Sequence, residues 1–181
     1  MFGFIHPIGC LAVENNLVYL MDVRGLSRER ASTIKEFYWS NSGKNIDIET
    51  IRKATYCVVC QENKKYTAIG LVYHDEEKPL YWKLKDLVVD LNKRNLGIGT
   101  EMIQFLQFDL PTIYNIQHQS KLGIFTTIPL VNKKLVSFFE KLDFVETDIS
   151  CKNPEADQSK KQSNNTNSAP IEADFIFIKS K

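Results

Sequence analysis

The sequence lacks an excess of charge of either sign and lacks a long apolar run. Its 23 Lys and Arg residues nearly balance its 22 Asp and Glu residues, which gives a formal net charge of +1 at pH 7. A chain so close to neutral does not carry the basic surface that binds nucleic acids or anionic membranes. Its apolar runs are shorter than the roughly 18 residues of a membrane-spanning helix, and residues 1–13 lack the basic start of a signal peptide. We therefore expect no nucleic-acid partner and no membrane anchor.

Cysteine and histidine are also scarce, with four and three residues in a chain of 181. Four cysteines without a secretory context predict reduced thiols and a reducing compartment, the cytoplasm or the nucleus. Cys57 and Cys60 have the C-x-x-C spacing of redox and zinc motifs. Residues i and i+3 of a strand face opposite sides, however, and no second ligand pair completes a tetrahedral site. We therefore expect no metal.

What the sequence contains is an alternation of strand and helix patterns, with 43% hydrophobic residues. At this length the chain predicts a single domain over residues 1–181. The periodicity predicts strands at 16–26, 55–61, 66–74, 80–90, 122–128, 144–149 and 171–179, and helices at 27–38, 46–54, 98–110 and 131–142. Residues 152–170 are polar and contain a single β-branched residue, Thr166. They predict a disordered insertion between the last two strands, because too little apolar surface is present to offset the entropy of ordering.

The most informative segment is residues 87–100, LVVDLNKRNLGIGT, in which a strand runs through a glycine turn into a helix. The apolar run at the end of this strand predicts burial on both faces. In the turn, successive backbone N–H groups and the unpaired N–H groups of the helix's first turn favour an anion. Gly97 and Gly99 let that anion approach without a Cβ in the way, and Arg94 adds a charged donor. The segment therefore predicts an anion-binding site.

Two short patterns in the chain are specific enough to compare with known motifs. The first is Arg94-x-x-Gly97-x-Gly99, and the second is residues 132–144, NKKLVSFFEKLDF. They resemble two motifs of the GNAT N-acetyltransferase superfamily, the acetyl-CoA signature [RQ]-x-x-G-x-[GA] and the segment N-x(5)-[FL]-Y-E-K-x-G-F. The order of the predicted elements agrees with the family along most of the chain. The resemblance implies an α/β (α+β) fold with a mixed, mostly antiparallel central sheet flanked by helices. It also implies that two splayed strands bind acetyl-CoA.

The resemblance further implies which residues bind acetyl-CoA, the cosubstrate. Backbone groups of the strand would bind the pantetheine arm, N–H groups of the turn would bind the pyrophosphate, and the start of the following helix would contact the arm. The residues implied are Leu87, Val88, Val89, Arg94, Asn95, Leu96, Gly97, Ile98, Gly99, Thr100 and Asn132. A primary amine would attack the thioester directly while a backbone N–H stabilises the oxyanion, so that no covalent acyl-enzyme forms.

Two residues depart from the family pattern. Phe139 stands where many members have a tyrosine that protonates the leaving thiolate, so the general acid is unassigned. Such an acid contributes typically about 10²- to 10⁴-fold to the rate. Asp143 stands where the family has glycine. Because Asp tolerates the left-handed conformation expected just after a helix, we expect the fold to be kept.

Asp86 is the candidate general base, since the attacking amine must lose a proton. Strand alternation predicts that its side chain faces opposite to Leu87. The alternative is that Asp86 is a polar residue at the strand edge whose hydrogen bonds are satisfied and whose charge is neutralised by its neighbours Lys83 and Lys85. Asp90, at the end of the same strand, is expected to cap the turn.

The acceptor is expected to be a small-molecule primary amine. Residues 85–89 and 138–141, KDLVV and FFEK, resemble the E-D-I-x-V and F-Y-E-K segments of eukaryotic glucosamine-6-phosphate N-acetyltransferases. Glucosamine 6-phosphate is therefore the first candidate acceptor, with Lys83, Lys85 and Arg24 as phosphate partners by residue type. Two alternatives stay open, a protein lysine or N-terminal acetyltransferase and a non-catalytic acetyl-CoA-binding domain. A homodimer is compatible with the sequence.

Overall fold

A computed structural model describes residues 10–13, 16–114, 123–150 and 172–178 of the chain. The described strands are β1 Cys10–Val13, β2 Asn16–Asp22, β3 Tyr56–Glu62, β4 Lys65–His74, β5 Tyr81–Val89, β6 Gly123–Pro129, β7 Val145–Ser150 and β8 Glu172–Ile178. The helices are α1 Arg28–Ser42, α2 Ile48–Lys53, α3 Ile98–Tyr114 and α4 Lys133–Glu140, with a 3₁₀ turn at Leu91–Lys93.

The described strands form one eight-stranded sheet in the order β1-β2-β3-β4-β5-β6-β8-β7. Neighbouring strands are antiparallel except β5 and β6, which run parallel. The last strand in sequence, β8, lies between β6 and β7. The predicted mixed, mostly antiparallel sheet with flanking helices is confirmed, and so is a strand within residues 171–179.

Local sequence signals explain how several elements begin and turn. The Ser27 hydroxyl accepts a hydrogen bond from Arg30 N at 3.3 Å and caps α1, while the Asp47 carboxylate accepts from Thr50 N at 2.6 Å and caps α2. Asn63 and Lys64 both have positive φ, 50° and 65°, between β3 and β4. Two such residues are what a tight hairpin turn of the right twist requires.

The helices cover both faces of the sheet, and each face has its own apolar cluster. On one face, Met102 and Phe105 of α3 pack with Phe139 of α4 against inward side chains of the sheet. On the other face, Ile34 and Tyr38 of α1 pack with α2 against the alternate side chains of the same strands. The sheet is therefore buried on both sides over much of its length.

The two cysteines of the C-x-x-C pattern confirm the alternation expected of a strand. Cys57 belongs to the cluster under α1, and Cys60 belongs to the cluster under α3 and α4. Burial raises the pKa of the Cys57 thiol to about 12, so this group stays protonated near neutral pH. Among the described residues no group of three or more His, Cys, Asp or Glu is placed to hold a metal ion. Nor does any helix in these ranges have the length and apolarity to cross a bilayer.

Several predicted element ends are wrong by a few residues. Helix α1 runs on to Ser42, where Gly43 ends it with a φ of 68°. The helix predicted at 131–142 is shorter because Asn132 is its N-cap and Lys141 its C-cap. Strand β1 has no counterpart among the predicted elements. Residues 152–170, predicted to be a disordered insertion, lie outside the described residues.

Strand β8 gives a direct test of the sheet order. Phe175 on β8 is fully buried and lies beside Thr126 of β6 and Glu146 of β7. We expect Phe175→Ala to lower the free energy of unfolding by about 3–5 kcal/mol, the usual loss for a large core aromatic. The matched variant Ile178→Ala, at a side chain that is 58% exposed on the same strand, should change it by about 0.5 kcal/mol or less. Urea unfolding measures both, and equal losses would contradict the placement of β8.

Candidate active site

Strands β5 and β6 part after a short stretch of pairing. Their parallel register comprises three pairs, Tyr81 with Gly123, Trp82 with Ile124 and Lys83 with Phe125. Beyond these pairs β5 continues to Val89 and β6 continues to Pro129, but no further residues of the two strands pair with each other. The splay implied by the sequence resemblance is therefore present, and it leaves one edge of β5 open from residue 84 onward.

A β-bulge interrupts β5 at the start of this open stretch. Ile69 pairs with Val88 and Leu71 with Lys85, so that two residues, Asp86 and Leu87, lie opposite Gly70 alone. Asp86 has the positive φ of 59° that such a bulge can require. A Cβ at Gly70 would lie 3.1 Å from Leu87 Cδ1 and 2.9 Å from Val58 Cγ1, so glycine makes room for the displaced strand.

The bulge is fixed from behind by a buried tyrosine. The Tyr38 hydroxyl of α1 lies 2.5 Å from the Asp86 carbonyl oxygen and 3.3 Å from the Ile69 carbonyl oxygen, and it donates to this pair of acceptors. Burial raises the pKa of Tyr38 well above its ordinary value, so the hydroxyl keeps its proton. Helix α1 therefore holds both strands at the point where β5 changes direction.

The bulge places Asp86 and Leu87 beside a small cavity. The Leu87 side chain packs against the cluster under α3 and α4, whereas the Asp86 carboxylate contacts Lys44, which follows α1. Both residues line a cavity of about 200 Å³ between the splayed strands. We call this space, lined by Asp86 and Leu87 with Thr126, Thr127 and Phe139 among others, the junction cavity.

The glycine turn and the start of α3 form the wall of a second space, the turn cavity, of about 670 Å³. The Asp90 carboxylate caps the 3₁₀ turn by accepting from Asn92 N at 2.8 Å, as the sequence predicted. Asn95 and Gly97 then have positive φ, 64° and 84°, and α3 begins at Ile98. The N–H groups of its first turn have no partner within the helix and remain available to an anion.

Most of the implied acetyl-CoA residues meet in the turn cavity. Those that line it are Leu87, Val88, Val89, Arg94, Asn95, Gly97, Ile98, Gly99 and Thr100. Leu96 and Asn132 are not among its lining residues, and Leu96 is 63% exposed. The predicted burial of the strand end on both faces is only partly correct, because Leu87 and Val89 are half-buried at this open edge.

Arg94 has a structural task besides lining the cavity. Its Nε donates to the Val89 carbonyl oxygen at 3.3 Å, and its terminal nitrogen donates to the Asn41 carbonyl oxygen at the end of α1. The guanidinium therefore ties the turn after β5 to α1.

Asn132 begins α4 instead of lining the turn cavity. Its side-chain oxygen accepts from Leu135 N at 3.2 Å and thereby caps the helix. Leu135 and Phe138, three and six residues further on, are the α4 residues that line the turn cavity. The sequence motif located the helix but missed these contacts. Ser42 and Lys93 also line the cavity and carried no sequence signal.

Phe139 lies at the junction cavity, as its motif position implied, but it is also part of the core. Its side chain is 4% exposed and packs edge-on against Phe138, with ring centroids 5.2 Å apart, and against Phe144 at 5.0 Å.

Asp143, which follows α4, has a φ of 61°, which confirms the left-handed conformation expected where the family has glycine.

A third space, the charged cavity of about 600 Å³, lies on the other side of the junction. Its wall includes four lysines and five carboxylates, Lys44, Lys78, Lys83, Lys85, Asp75, Glu77, Asp86, Glu172 and Asp174. The junction cavity shares Leu84, Asp86, Thr126 and Thr127 with it, and shares Leu87, Leu135 and Phe138 with the turn cavity. The three cavities therefore adjoin one another along the gap between β5 and β6.

Three lysine–aspartate pairs line the charged cavity. Lys78 Nζ lies 2.6 Å from Asp174 Oδ2, Lys83 Nζ lies 3.0 Å from Asp75 Oδ2, and Lys44 Nζ contacts Asp86 Oδ1. The ammonium groups of Lys78 and Lys83 also lie 5.1 and 5.3 Å from the ring centre of Phe125. Most of these groups come from separate elements, which is why sequence spacing did not reveal them.

The electrostatics of Asp75 show how one of these carboxylates is kept charged. Burial by itself raises the pKa of Asp75, but hydrogen bonds from Lys83 and from the backbone N–H groups of Lys78 and Glu77 outweigh it and hold the pKa below its ordinary value. Of the three basic residues named from sequence for a phosphate, Lys83 and Lys85 line the charged cavity. Arg24 does not, and pairs instead with Asp22 at 2.6 Å.

The comparisons with known proteins agree on the fold. No family model matches the chain, and no curated protein is similar to it in sequence. Solved structures of GNAT acetyltransferases do resemble it.

Three of these structures illustrate the likeness. The ribosomal-protein-S18-alanine N-acetyltransferase of Escherichia coli has a TM-score of 0.62 at 11% identity, over 89% of this chain and 93% of that one. A GNAT family acetyltransferase of Elizabethkingia anophelis with acetyl-CoA bound has a TM-score of 0.63 at 10% identity, over 92% and 99%. A Bacillus subtilis acetyltransferase in complex with CoA has a TM-score of 0.61 at 9% identity, over 90% and 98%. The chain therefore has the fold of the GNAT acetyltransferases.

The left-handed turn at Gly97 tests the role of the turn cavity. A Cβ at Gly97 meets no atom within 4 Å, so a side chain there would project into open space beside the first turn of α3. We expect Gly97→Val to reduce affinity for CoA by about tenfold or more. The φ of 84° should also cost about 1–3 kcal/mol of folding stability. Calorimetric titration with CoA measures the affinity.

Gly25→Val is the matched control, because a Cβ there also meets no atom within 4 Å and φ is not positive. Gly25 is not among the residues lining the turn cavity, so its variant should bind CoA like the wild type. Unchanged CoA affinity in a folded Gly97→Val protein would contradict this site.

Proposed function

We propose that the protein is an acetyl-CoA-dependent N-acetyltransferase that transfers the acetyl group to a primary amine. The observation that carries the proposal is the row of three adjoining cavities along the gap between β5 and β6. One end of the row has the N–H-rich turn that suits a pyrophosphate, and the other end is lined by lysine, aspartate and glutamate residues. The two substrates would meet at the junction cavity. The fold and the sequence motifs of residues 94–99 and 132–144 support the same function.

In this proposal acetyl-CoA binds along the open edge of β5. The pyrophosphate lies on the N–H groups of residues 94–100 at the start of α3, where the helix dipole favours an anion. The pantetheine arm pairs with backbone groups of Leu87, Val88 and Val89, which have no partner on β6. Leu135 and Phe138 of α4 cover the arm from the opposite wall. The acetyl group is then directed toward the junction cavity.

The reaction is a direct attack of the neutral amine on the thioester carbonyl. The amine nitrogen forms the new C–N bond, a backbone N–H on β5 stabilises the oxyanion, and the C–S bond breaks to release the CoA thiolate. The amine also loses a proton, and Asp86 is the carboxylate at the junction that can accept it. Phe139 has no proton to donate, so the thiolate leaves without an acid from that position.

Glucosamine 6-phosphate is the first acceptor to test on the basis of the sequence resemblance. Other amines should be tested beside it, because Lys83, one of the two cavity lysines named for the phosphate, is already paired with Asp75. Among the described residues, Lys85 is the one lysine lining the charged cavity that forms no ion pair. One structural neighbour is named a ribosomal-protein-S18-alanine N-acetyltransferase, so a peptide with an N-terminal alanine belongs in the same panel.

Release of free thiol from acetyl-CoA in the presence of different amines tests the proposal. The panel consists of glucosamine 6-phosphate, glucosamine, 1,4-diaminobutane, a peptide with N-terminal alanine and a lysine-containing peptide with a blocked terminus. Turnover with a small amine supports the proposal, and turnover restricted to the peptides supports a protein acetyltransferase. Tight CoA binding without turnover on any amine would instead support a non-catalytic acetyl-CoA-binding domain.

Phe139→Tyr tests the arrangement at the junction cavity. The added hydroxyl would lie where the family's acid protonates the thiolate, so turnover should hold or rise, by at most the roughly 10²- to 10⁴-fold of a positioned acid. Affinity for CoA should change by less than about threefold, because the ring keeps its place. Steady-state kinetics and CoA titration measure the two effects.

Phe144→Tyr is the matched control, since Phe144 is 3% exposed and packs against Phe139 but is not among the residues lining the junction cavity. Its hydroxyl should cost about 1–3 kcal/mol of stability as an unpaired buried group. If Phe139→Tyr destabilises the protein as much as Phe144→Tyr and turnover falls, the side chain at 139 points into the closed core.

A further inference from the structure

The ion pair between Lys44 and Asp86 lies where the charged cavity meets the junction cavity. Asp86 lines both cavities, whereas Lys44 lines the charged one. A primary ammonium of the chain itself therefore contacts the carboxylate that stands between the acceptor side and the proposed thioester. In chemical type, Lys44 Nζ is the same group as the amine that the proposed reaction consumes.

The carboxylate side of this pair is fixed. The Asp86 side chain is 10% exposed, and its backbone forms the bulge opposite Gly70. The Tyr38 hydroxyl holds the Asp86 carbonyl oxygen at 2.5 Å. A carboxylate held in this way keeps its place when its partner leaves.

The ammonium side of the pair is replaceable. The Lys44 side chain is 53% exposed and follows the left-handed Gly43 that ends α1. An ion pair with a half-exposed partner contributes little to stability. Water solvates the lysine ammonium nearly as well as the carboxylate does, and the long lysine side chain loses conformational entropy when the pair holds it in place. A second ammonium can therefore take its place on Asp86.

The other two pairs are built differently. Both Lys78 and Lys83 are less exposed than Lys44, at 25% and 34%, and their carboxylate partners carry further hydrogen bonds. Thr127 Oγ1 donates to Asp174 at 2.7 Å, and two backbone N–H groups donate to Asp75. These pairs form the fixed wall of the cavity, and Lys44 is its exchangeable cation.

We propose that Lys44 holds the place of the acceptor's ammonium group on Asp86, and that the acceptor is a cationic primary amine that enters by displacing it. The proposal rests on the acetyltransferase function proposed above and names its substrate class. Once Lys44 swings away, the wall of the charged cavity keeps three lysines against five carboxylates. That balance favours a compound with a second positive charge, such as a diamine, over one that carries a phosphate near the amine.

Binding of 1,4-diaminobutane tests the proposal independently of catalysis. Calorimetric titration is carried out on the full chain, with and without CoA, for the wild type and for Lys44→Met, Lys44→Arg and Lys53→Met. We expect Lys44→Met to lower the Kd by about threefold or more, because the apparent Kd varies inversely with the fraction of molecules in which Asp86 is free. Lys44→Arg keeps a competing cation and should stay near the wild type. Lys53→Met removes the same charge from an exposed site in the last turn of α2 and should leave the Kd unchanged.

The second arm tests whether Asp86 is the group that receives the amine. Asp86→Asn keeps a residue that tolerates positive φ and removes the charge, so in the Lys44→Met background it should weaken diamine binding by about tenfold or more. No diamine binding to any variant, no tightening in Lys44→Met, or an unaffected Asp86→Asn double variant would each overturn the proposal. Failure of the wild type to bind CoA would overturn the acetyltransferase function instead. The diamine titration without CoA distinguishes the two failures, because it measures binding at Asp86 whether or not CoA binds.

Discussion

The bulge at Asp86 and Leu87 is the constraint on which the rest of the site depends. A regular β5 would keep its pleat and could continue to pair with β6, and the gap between them would close. The extra residue opposite Gly70 turns the strand at the point where pairing with β6 has just ended. The bulge also brings a carboxylate to the gap, because Asp86 lines the same cavity as Leu87. A single irregularity therefore accounts for both the space between the strands and the charged group at its centre.

Opening a sheet in its middle weakens it, and the surrounding elements compensate. Three register pairs join β5 to β6, so most of the cohesion between the two halves of the sheet has to come from side-chain packing. Helix α3 supplies it, since Met102 and Phe105 belong to the same cluster as Val18 of β2 and Phe175 of β8. The helix that begins at the glycine turn is thus also the element that bridges the split. A change that loosens α3 should therefore affect the sheet and the turn together.

The sequence predicted the parts of the site that are local in the chain. The glycine turn, the cap at Asp90 and the left-handed Asp143 each follow from the preference of a residue type for a backbone conformation, and such preferences can be seen within a few residues. The bulge was missed because an inserted residue leaves no mark in an apolar run such as Leu87 to Val89. The pairs Lys78–Asp174 and Lys44–Asp86 join residues 96 and 42 positions apart, so only the sheet order brings them together.

The last turn of α1 contacts both ends of the proposed reaction path. The Asn41 carbonyl oxygen accepts a hydrogen bond from Arg94, and the Asn41 side-chain oxygen accepts one from Leu91 N at 3.0 Å. The last turn of α1 therefore supports the loop at the turn cavity. Ser42 lines that cavity, while its hydroxyl donates to the Tyr38 carbonyl oxygen at 2.7 Å and accepts from Lys44 N at 3.2 Å. Two residues further on, the Lys44 side chain reaches Asp86. Four successive residues, 41–44, therefore contact both the loop at the turn cavity and the carboxylate that lines the junction and charged cavities. The end of α1 thus fixes the position of the glycine turn relative to Asp86.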